Sequence, residues 1–431
     1  MDIRTAHALV RFGLGRRGSE TPPDEPADWL RAQLHDPDPT RLADSPTTAA
    51  GLTALREDRA NRPAPGQSRS RARFRADATA QLANALVTPA PFRERLVWFW
   101  ANHFTVSLRR GQCAALAGAF VEEAIRPYVT GRFADMLLAV MRHPAMLLYL
   151  DNARSVGPGS PAGQHGRFGL NENLARECLE LHTVTPAAGF TQADVTSFAR
   201  VLTGWSIDLQ ADPPGFRFRP FAHEPGSKLV LGREFPPGEA GGVEALRFLA
   251  AHPATHRSLA TSLVRHFVAD DPPEDAATRI AAVLHDTDGN LGAAAEAVTA
   301  LPAAWEPLAK LRSPLDLVVA TLRALDAPAP LPDQPWLIGT LAGLGQPLWT
   351  APQPNGWPDR AADWAGPEAL LRRIDWAYAV AGRLGGADPA DIAEASLGPL
   401  VQPATLLAML RAGSRRDALT LLLSSPEFQR R

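Results

Sequence analysis

The chain has 431 residues, 45% of them apolar and 21% charged, a balance that excludes a chain too polar to build a core. Its formal net charge of −2 leaves no basic excess to offset a run of phosphates, so nucleic acid is not an expected partner. No stretch reaches the roughly 18 to 20 apolar residues a membrane span needs, and the opening Met1-Asp-Ile-Arg-Thr-Ala-His7 lacks the apolar core of a secretory signal; as written, the chain is expected to stay in the cytoplasm.

Two cysteines, Cys113 and Cys178, are too few for a disulfide framework and form no C-x-x-C pair, so both are expected as free thiols on helices. The basic residues are almost all arginine, with Lys228 and Lys310 the two lysines. A lysine that survives such a bias is worth noting.

Taken in chain order, the first motif is Gly13-Leu-Gly-Arg-Arg-Gly18, which has the letters of a dinucleotide fingerprint. That fingerprint needs a strand before it and a helix start after it; here a helical Ala-Leu-Val-Arg-Phe precedes and Ser-Glu-Thr-Pro-Pro follows, so a glycine helix stop is expected. Residues 57–77, rich in Arg, Pro and Ser, read as loose. From 92 to 107, Leu96, Phe99, Trp100, His103, Phe104 and Ser107 recur at spacings of three and four, the core face of a helix.

Similar periodicity runs through 112–128, 132–149, 173–184, 191–204, 242–251, 255–268, 275–285, 291–301, 314–326, 367–384 and 402–424. The fold class is therefore mainly α: one large multi-helix domain over 1–431, with further loose loops near 155–169 and 327–335. Residues 216–235, where Phe216 and Phe218 face Leu229, Val230 and Leu231 across a turn-rich centre, predict one small β-hairpin. Asp286, Asp288 and Asn290 alternate like calcium ligands, but the glycine falls inside the alternation and no glutamate closes the loop, so a helix-capping turn is expected. Gly226-Ser227-Lys228 resembles the end of a phosphate loop without its first glycine, since position 221 is Phe221.

Three polar segments are candidates for chemistry. In Asn171 to Thr183, a helix would place Asn173, Glu177 and Glu180 on one face with Arg176 beside Glu180 and Glu172. Glu177 and Glu180 could hold a divalent metal, with His182 as a further ligand, or share a proton for acid–base work. The plainer reading makes Arg176 a partner of Glu172 and Glu180 on a solvated face, with Ala175, Cys178, Leu179 and His182 turned inward. In Trp98 to Thr105, His103 lies on the aromatic face with Asn102 adjacent; a buried imidazole needs a hydrogen-bond partner or a metal, and tying two helices together would satisfy it. In Phe221 to Lys228, His223 and Lys228 share a turn; Lys228 could bind an anion with His223 as acid or base, or the segment could be a surface turn.

These segments, taken together, resemble the bacterial family known as domain of unknown function 1800. The resemblance rests on Arg11-Phe-Gly13, Arg93 to Phe104, Met146 to Asn152, Asn171 to Thr183, Gly189 to Asp194, Ala199 to Trp205, His223 to Lys228, Pro354-Asn-Gly-Trp-Pro358 and Ser424 to Gln429, spread over nearly the whole chain. It implies no established activity. It does imply a compartment outside the cytoplasm for many relatives, which carry export signals, and a protein partner encoded beside them. Asn355 to Asp359, followed by Trp364, belongs to the family pattern and is expected as a plug of aromatic core.

The leading functional expectation is a hydrolase acting on an anionic or glycan substrate. Glu177, Glu180, His103 and His223 would be its catalytic groups, and Arg176, Lys228, Asn173 and Asn102 its substrate contacts. Glu177, Glu180 and His182 would hold a divalent metal if one is used. The alternatives are a non-catalytic helical scaffold or maturation partner with a broad apolar docking patch, and a protein that binds an anion or glycan without turnover.

Overall fold

The stripe around residue 100 forms a helix, Pro91–His103, buried on nearly every side. Pro91 stands in the first turn, where its missing N–H costs nothing, and Glu94 faces the positive end of the helix dipole. A helix with no solvent face must also pair its charges. Arg126 takes Glu94 at 2.7 and 3.0 Å, and Arg95 takes Asp316 at 3.0 and 2.9 Å.

This computed structural model describes residues 1–431 apart from 43, 65, 167 and 307. It is mainly α, 61% helical with two small antiparallel hairpins. The helices bury two hydrophobic clusters. The larger includes Phe12, Phe92, Trp100, Phe104, Phe133, Trp205 and Phe267. The second gathers Val10 and Leu14, then Leu82 and Leu86, then the inner faces of Pro314–Ala324, Pro367–Leu384 and Arg415–Ser424. Pro91–His103 runs between them: Phe99 and Trp100 belong to the larger cluster, while Trp98 packs against the second. No helix among the described residues is long and apolar enough to cross a membrane.

The Gly13 to Gly18 stretch is a helix stop. Ile3–His7 widens into a π-helical segment, Ala8–Phe12, and breaks at Gly13. The freed carbonyls are taken by buried guanidiniums, Gly13 by Arg95 at 2.8 and 2.6 Å and Gly15 by Arg323 at 2.9 Å. Asn290 caps the Leu291–Thr299 helix through Ala293 N–H at 2.8 Å.

Four expectations need correction. The single hairpin over 216–235 is two: Trp205–Asp208 pairs with Gly215–Phe218, and Lys228–Val230 with Arg233–Phe235. Phe216 and Phe218 thus face Ile207 and Trp205, because the strand at 205 is too short for its alternation to stand out from the preceding helix. Leu231 and Gly232, both at positive φ (49° and 75°), make the tight turn of the second hairpin. The loose stretch 57–77 is largely helical, in Thr48–Asn61 and Arg69–Val87; Asp58 accepts from Ser68 Oγ and from the N–H groups of Arg69 and Ser70, which draws the second helix onto the first. The loops near 155–169 and 327–335 contain Pro161–His165 and the start of Gln334–Gly343, and the run 402–424 breaks into Pro403–Leu410 and Arg415–Ser424, the latter capped by Ser414.

A candidate site in an aromatic cleft

Between the two hydrophobic clusters lies a cleft of about 410 Å³. One wall is Pro91–His103, presenting Trp98, Phe99, Asn102 and His103; a second is the end of Pro253–Phe267, presenting Ser262, Arg265 and His266; the third is the irregular stretch 346–364, with Trp349, Trp357, Asp359 and Trp364. Four of the chain's ten tryptophans line this one space. Trp98, Trp349 and Trp357 are only half-buried, so each keeps part of its ring toward the opening.

The third wall is irregular, and side chains hold it. Asn102 donates Nδ2–H to the Trp357 carbonyl at 2.9 Å and accepts the Trp357 N–H at 2.8 Å, imitating a backbone pair. Gly356 sits at φ +77°, where a Cβ would lie 2.4 Å from the Asn102 carbonyl. Only glycine fits that approach. Trp364 donates its indole N–H to Pro358 O at 2.9 Å, and its ring lies 6.0 Å from that of Trp357. The segment expected as a core plug is therefore a cleft wall. Asn102, expected as a substrate contact, has its amide occupied in holding that wall.

At the floor, His266 Nδ1 lies 2.9 Å from Asp359 Oδ2. A carboxylate only accepts, so Nδ1 carries the proton and Nε2 the lone pair. Nε2 lies 3.5 Å from a terminal nitrogen of Arg431. Burial, with the Arg431 charge adding to it, pushes the His266 imidazole down to about 4 against the pull of Asp359, so the ring is neutral near pH 7. Asp359 is kept well below the usual carboxylate range by His266, Lys310 and Arg431.

Behind it, the fully buried Lys310 bonds the Asp270 carboxylate and donates to Asp359 O at 2.6 Å. Lys310 and Arg431 exchange backbone hydrogen bonds at 3.0 and 2.7 Å, which brings the Arg431 side chain to Asp316 at 3.0 Å. The sequence points to neither His266 nor Arg431; Asp359 stands out there only as the end of the Asn355 to Asp359 motif, and Lys310 only by the rarity of lysine.

The three segments expected to form one site do not all converge. His103 lines the cleft and its Nε2 lies 3.2 Å from His182 O, so Nε2–H ties the Pro91–His103 helix to the π-helical turn Cys178–His182 while Nδ1 has no hydrogen bond among the described residues. Burial brings His103 down to about 4. His182 lies behind it, 1% exposed, with neither ring nitrogen hydrogen-bonded among the described residues, and burial lowers it to about 3.

Arg176 bonds Glu180 at 3.2 Å, Glu172 at 3.0 Å and Gln192 at 2.8 Å on a half-exposed face, while Ala175, Cys178, Leu179 and His182 are buried. Asn173 is exposed. Glu177 is half-buried, raised by burial and by the charge of Glu180. Glu177, Glu180 and His182 do not gather into a metal-holding group, and no group of three or more His, Cys, Asp or Glu among the described residues does.

The 223–228 loop stands apart from the cleft. His223 Nδ1 donates to Thr203 O at 2.9 Å, and its Nε2 accepts from Gly238 N–H at 2.8 Å and from Lys228 Nζ at 3.0 Å. Lys228 is buried and also donates to Glu224 O. Burial lowers the Lys228 ammonium to about 8. His223 and Lys228 are thus an internal tie rather than a surface turn or an anion clamp. Outside both regions, Leu371, Ile374 and Tyr378 on Pro367–Leu384 and Leu407 and Leu410 on Pro403–Leu410 are exposed apolar side chains.

No curated protein and no solved structure matches the chain. A family model does, over residues 7–430, and that span takes in all three walls of the cleft: the chain belongs to the proteins of unknown function grouped as DUF1800.

Proposed function

We propose that this protein binds a glycan in the tryptophan-lined cleft. The observation that carries the reading is the concentration of four indoles around one opening, interleaved with His103, His266, Asn355 and Asp363. A sugar ring offers an apolar face of C–H groups and a rim of hydroxyls, so it needs flat apolar surface and dispersed hydrogen-bonding groups in the same space. The cleft volume of about 410 Å³ falls in the range of roughly 300–1,000 Å³ typical of small-ligand sites, large enough for one or two sugar rings.

The same geometry supports hydrolysis as an extension of binding. Asp359 holds His266 in the tautomer that presents an Nε2 lone pair, the orientation a general base needs. Its proton acceptance would require the weak Arg431 contact at 3.5 Å to give way to a ligand hydroxyl or a water.

Titration of the full chain with soluble oligosaccharides, read by tryptophan fluorescence and calorimetry, tests the proposal. Trp357→Ala removes the ring while leaving the Asn102 clamp on its backbone, and is expected to weaken binding about tenfold, the loss of roughly 1.4 kcal/mol of ring contact. Absence of binding across neutral and charged oligosaccharides would overturn the reading. Release of reducing ends by the wild type, lost in His266→Gln with binding intact, would establish the hydrolytic extension.

A further inference from the structure

The floor of the cleft is backed by a concentration of positive charge that the protein does not neutralise. Arg11, Arg95, Arg312, Arg373 and Arg431 are each 2% exposed or less, and among the described residues Asp316 is the one carboxylate in direct contact with any of them, hydrogen-bonded by Arg95 at 2.9 and 3.0 Å and ion-paired with Arg431 at 3.0 Å, while the Glu306 charge acts on Arg11 from farther off. Arg11 leans on the carbonyls of Phe267 and Val268 at 2.8 and 3.2 Å, and Arg312 on Phe428 O at 2.7 Å. Arg373 bonds the Gln429 side chain at 3.0 Å and Arg312 O at 2.9 Å.

Carbonyl dipoles stabilise guanidinium ions but cancel no charge. Close by, Asp270 is answered by Lys310, and Asp359 by the neutral His266. Five arginines and Lys310 against Asp270, Asp316, Asp359 and Glu306, whose charge acts on Arg11, leave an excess of two positive charges among these groups, in a region where the effective dielectric is low. Burial and mutual repulsion accordingly pull Arg11, Arg312 and Arg431 below the usual guanidinium value.

Two of these arginines, Arg95 and Arg431, open onto the cleft, together with Asp316. Arg265 joins them from the last turn of Pro253–Phe267; its one hydrogen bond among the described residues is a long contact from Nε to Asp270 O at 3.4 Å, which leaves its two terminal nitrogens unengaged. A guanidinium with its fork free beside an unneutralised cationic floor is built to meet an anion of matching geometry.

We propose that the ligand of the cleft carries an anionic group, a carboxylate or sulfate on a sugar, held by Arg265 and Arg431. The proposal rests on the glycan reading and narrows it: the tryptophans take the ring faces and the arginines take the charge. Arg431 supplies charge from the floor while paired to Asp316, with its terminal nitrogens donating to His266 O at 3.0 Å and Arg11 O at 3.4 Å, so Arg265 makes the freer contact and is the residue whose loss removes it without breaking a buried ion pair.

The test uses the full chain and three oligosaccharides of equal length, one neutral, one containing uronic acid and one sulfated, each titrated at low and at high salt against the wild type and Arg265→Gln. A charged sugar is expected to bind at least tenfold more tightly than the neutral one, with the advantage reduced at high salt and lost in Arg265→Gln. Preference between the planar carboxylate and the tetrahedral sulfate then assigns which anion the cleft takes. Equal affinity for neutral and charged sugars would overturn this proposal and leave glycan binding standing; a charge preference unchanged in Arg265→Gln would overturn the role of Arg265. No binding of any sugar would overturn both. Because Arg265 is only half-buried and carries no ion pair, the variant is expected to keep the wild-type unfolding midpoint, and the salt dependence of the wild type gives a readout that needs no variant.

Discussion

The chain has two lysines, and each ends up buried beside a histidine, yet the two neighbourhoods do opposite things. Lys228 bonds His223 Nε2 and Glu224 O, and His223 spends its other nitrogen on Thr203 O; every polar atom there is consumed in joining the hairpin to the loop. Lys310 bonds Asp270 and the Asp359 carbonyl, and the Asp359 carboxylate in turn holds a histidine that faces an open cleft. Equivalent side chains thus make a closed tie in one place and a supported floor in the other. What separates them is a cavity and a carboxylate bonded directly to the lysine, neither of which short-range sequence spacing reveals.

The largest expected difference between the two follows from the carboxylate. Lys310→Met strips Asp270 of its counter-charge and exposes a buried cationic cluster to reorganisation, which is expected to cost about 3–5 kcal/mol. Lys228→Met removes a donor from a carbonyl and an imidazole but strands no ion, and is expected to cost about 1–3 kcal/mol. Urea denaturation of both variants at pH 7 measures this directly. Equal losses would show that the two lysines are energetically the same kind of residue and would remove the basis of the comparison.

Much of the fold was legible because helical periodicity is a local signal: the face containing Leu96, Phe99, Trp100 and His103 is the face that packs, and the inward set Ala175, Cys178, Leu179 and His182 is buried as its spacing implies. The pairing of Phe216 and Phe218 was not legible, since four-residue strands leave too few alternations to choose between partners on either side. Of the cleft, His103 was visible on its aromatic face. His266 and Asp359 were not, because they lie 93 positions apart and meet only through the packing of Pro253–Phe267 against the irregular wall. Asn355 to Asp359 stands out as a motif, but exposure cannot be read from a tryptophan's identity, so the sequence alone reads this wall as a plug.

Buried neutral histidines give the second expected effect, an acid-sensitive fold. His7, His103 and His266 are held at about 4 and His182 at about 3, all by burial first, against about 6.5 in the unfolded chain. Between those values the unfolded chain takes up protons that the fold refuses, so stability falls as pH drops through 6.5 toward 4. Each of these groups contributes up to about 3 kcal/mol or more over the window. Asp77, raised to about 6 by burial, and Glu122 and Glu177, also raised by burial, work in the opposite sense over part of it, but with smaller shifts than the four histidines. Urea midpoints at pH 7, 6, 5 and 4.5 should decline steadily; a flat profile would mean that the histidines accept protons without cost. A smaller loss, about 1–3 kcal/mol, is expected for Gly356→Ala, where the new Cβ meets the Asn102 carbonyl and the backbone leaves its left-handed conformation only by moving the wall. That variant should also weaken ligand binding, whereas a glycine without such a neighbour, Gly343, should tolerate alanine with neither effect.

The smallest expected change is the one that most sharpens the distinction between a tie and a site. His182 has no hydrogen bond from either ring nitrogen, and its backbone carbonyl, not its side chain, receives His103. An imidazole in that state contributes packing against Phe104 and His103, at ring distances of 5.1 and 5.7 Å, and carries the cost of two unsatisfied polar atoms. His182→Leu keeps most of the volume and removes the cost, so stability at pH 7 is expected to stay within about 1 kcal/mol of wild type or to rise. Because the variant also deletes one of the four groups that refuse protons, the decline between pH 6.5 and 4 should become shallower by that group's share. A loss of several kcal/mol at pH 7 would instead mean that His182 engages a partner when the protein is in solution, and would return it, with His103 Nδ1, to the list of groups that act on the contents of the cleft.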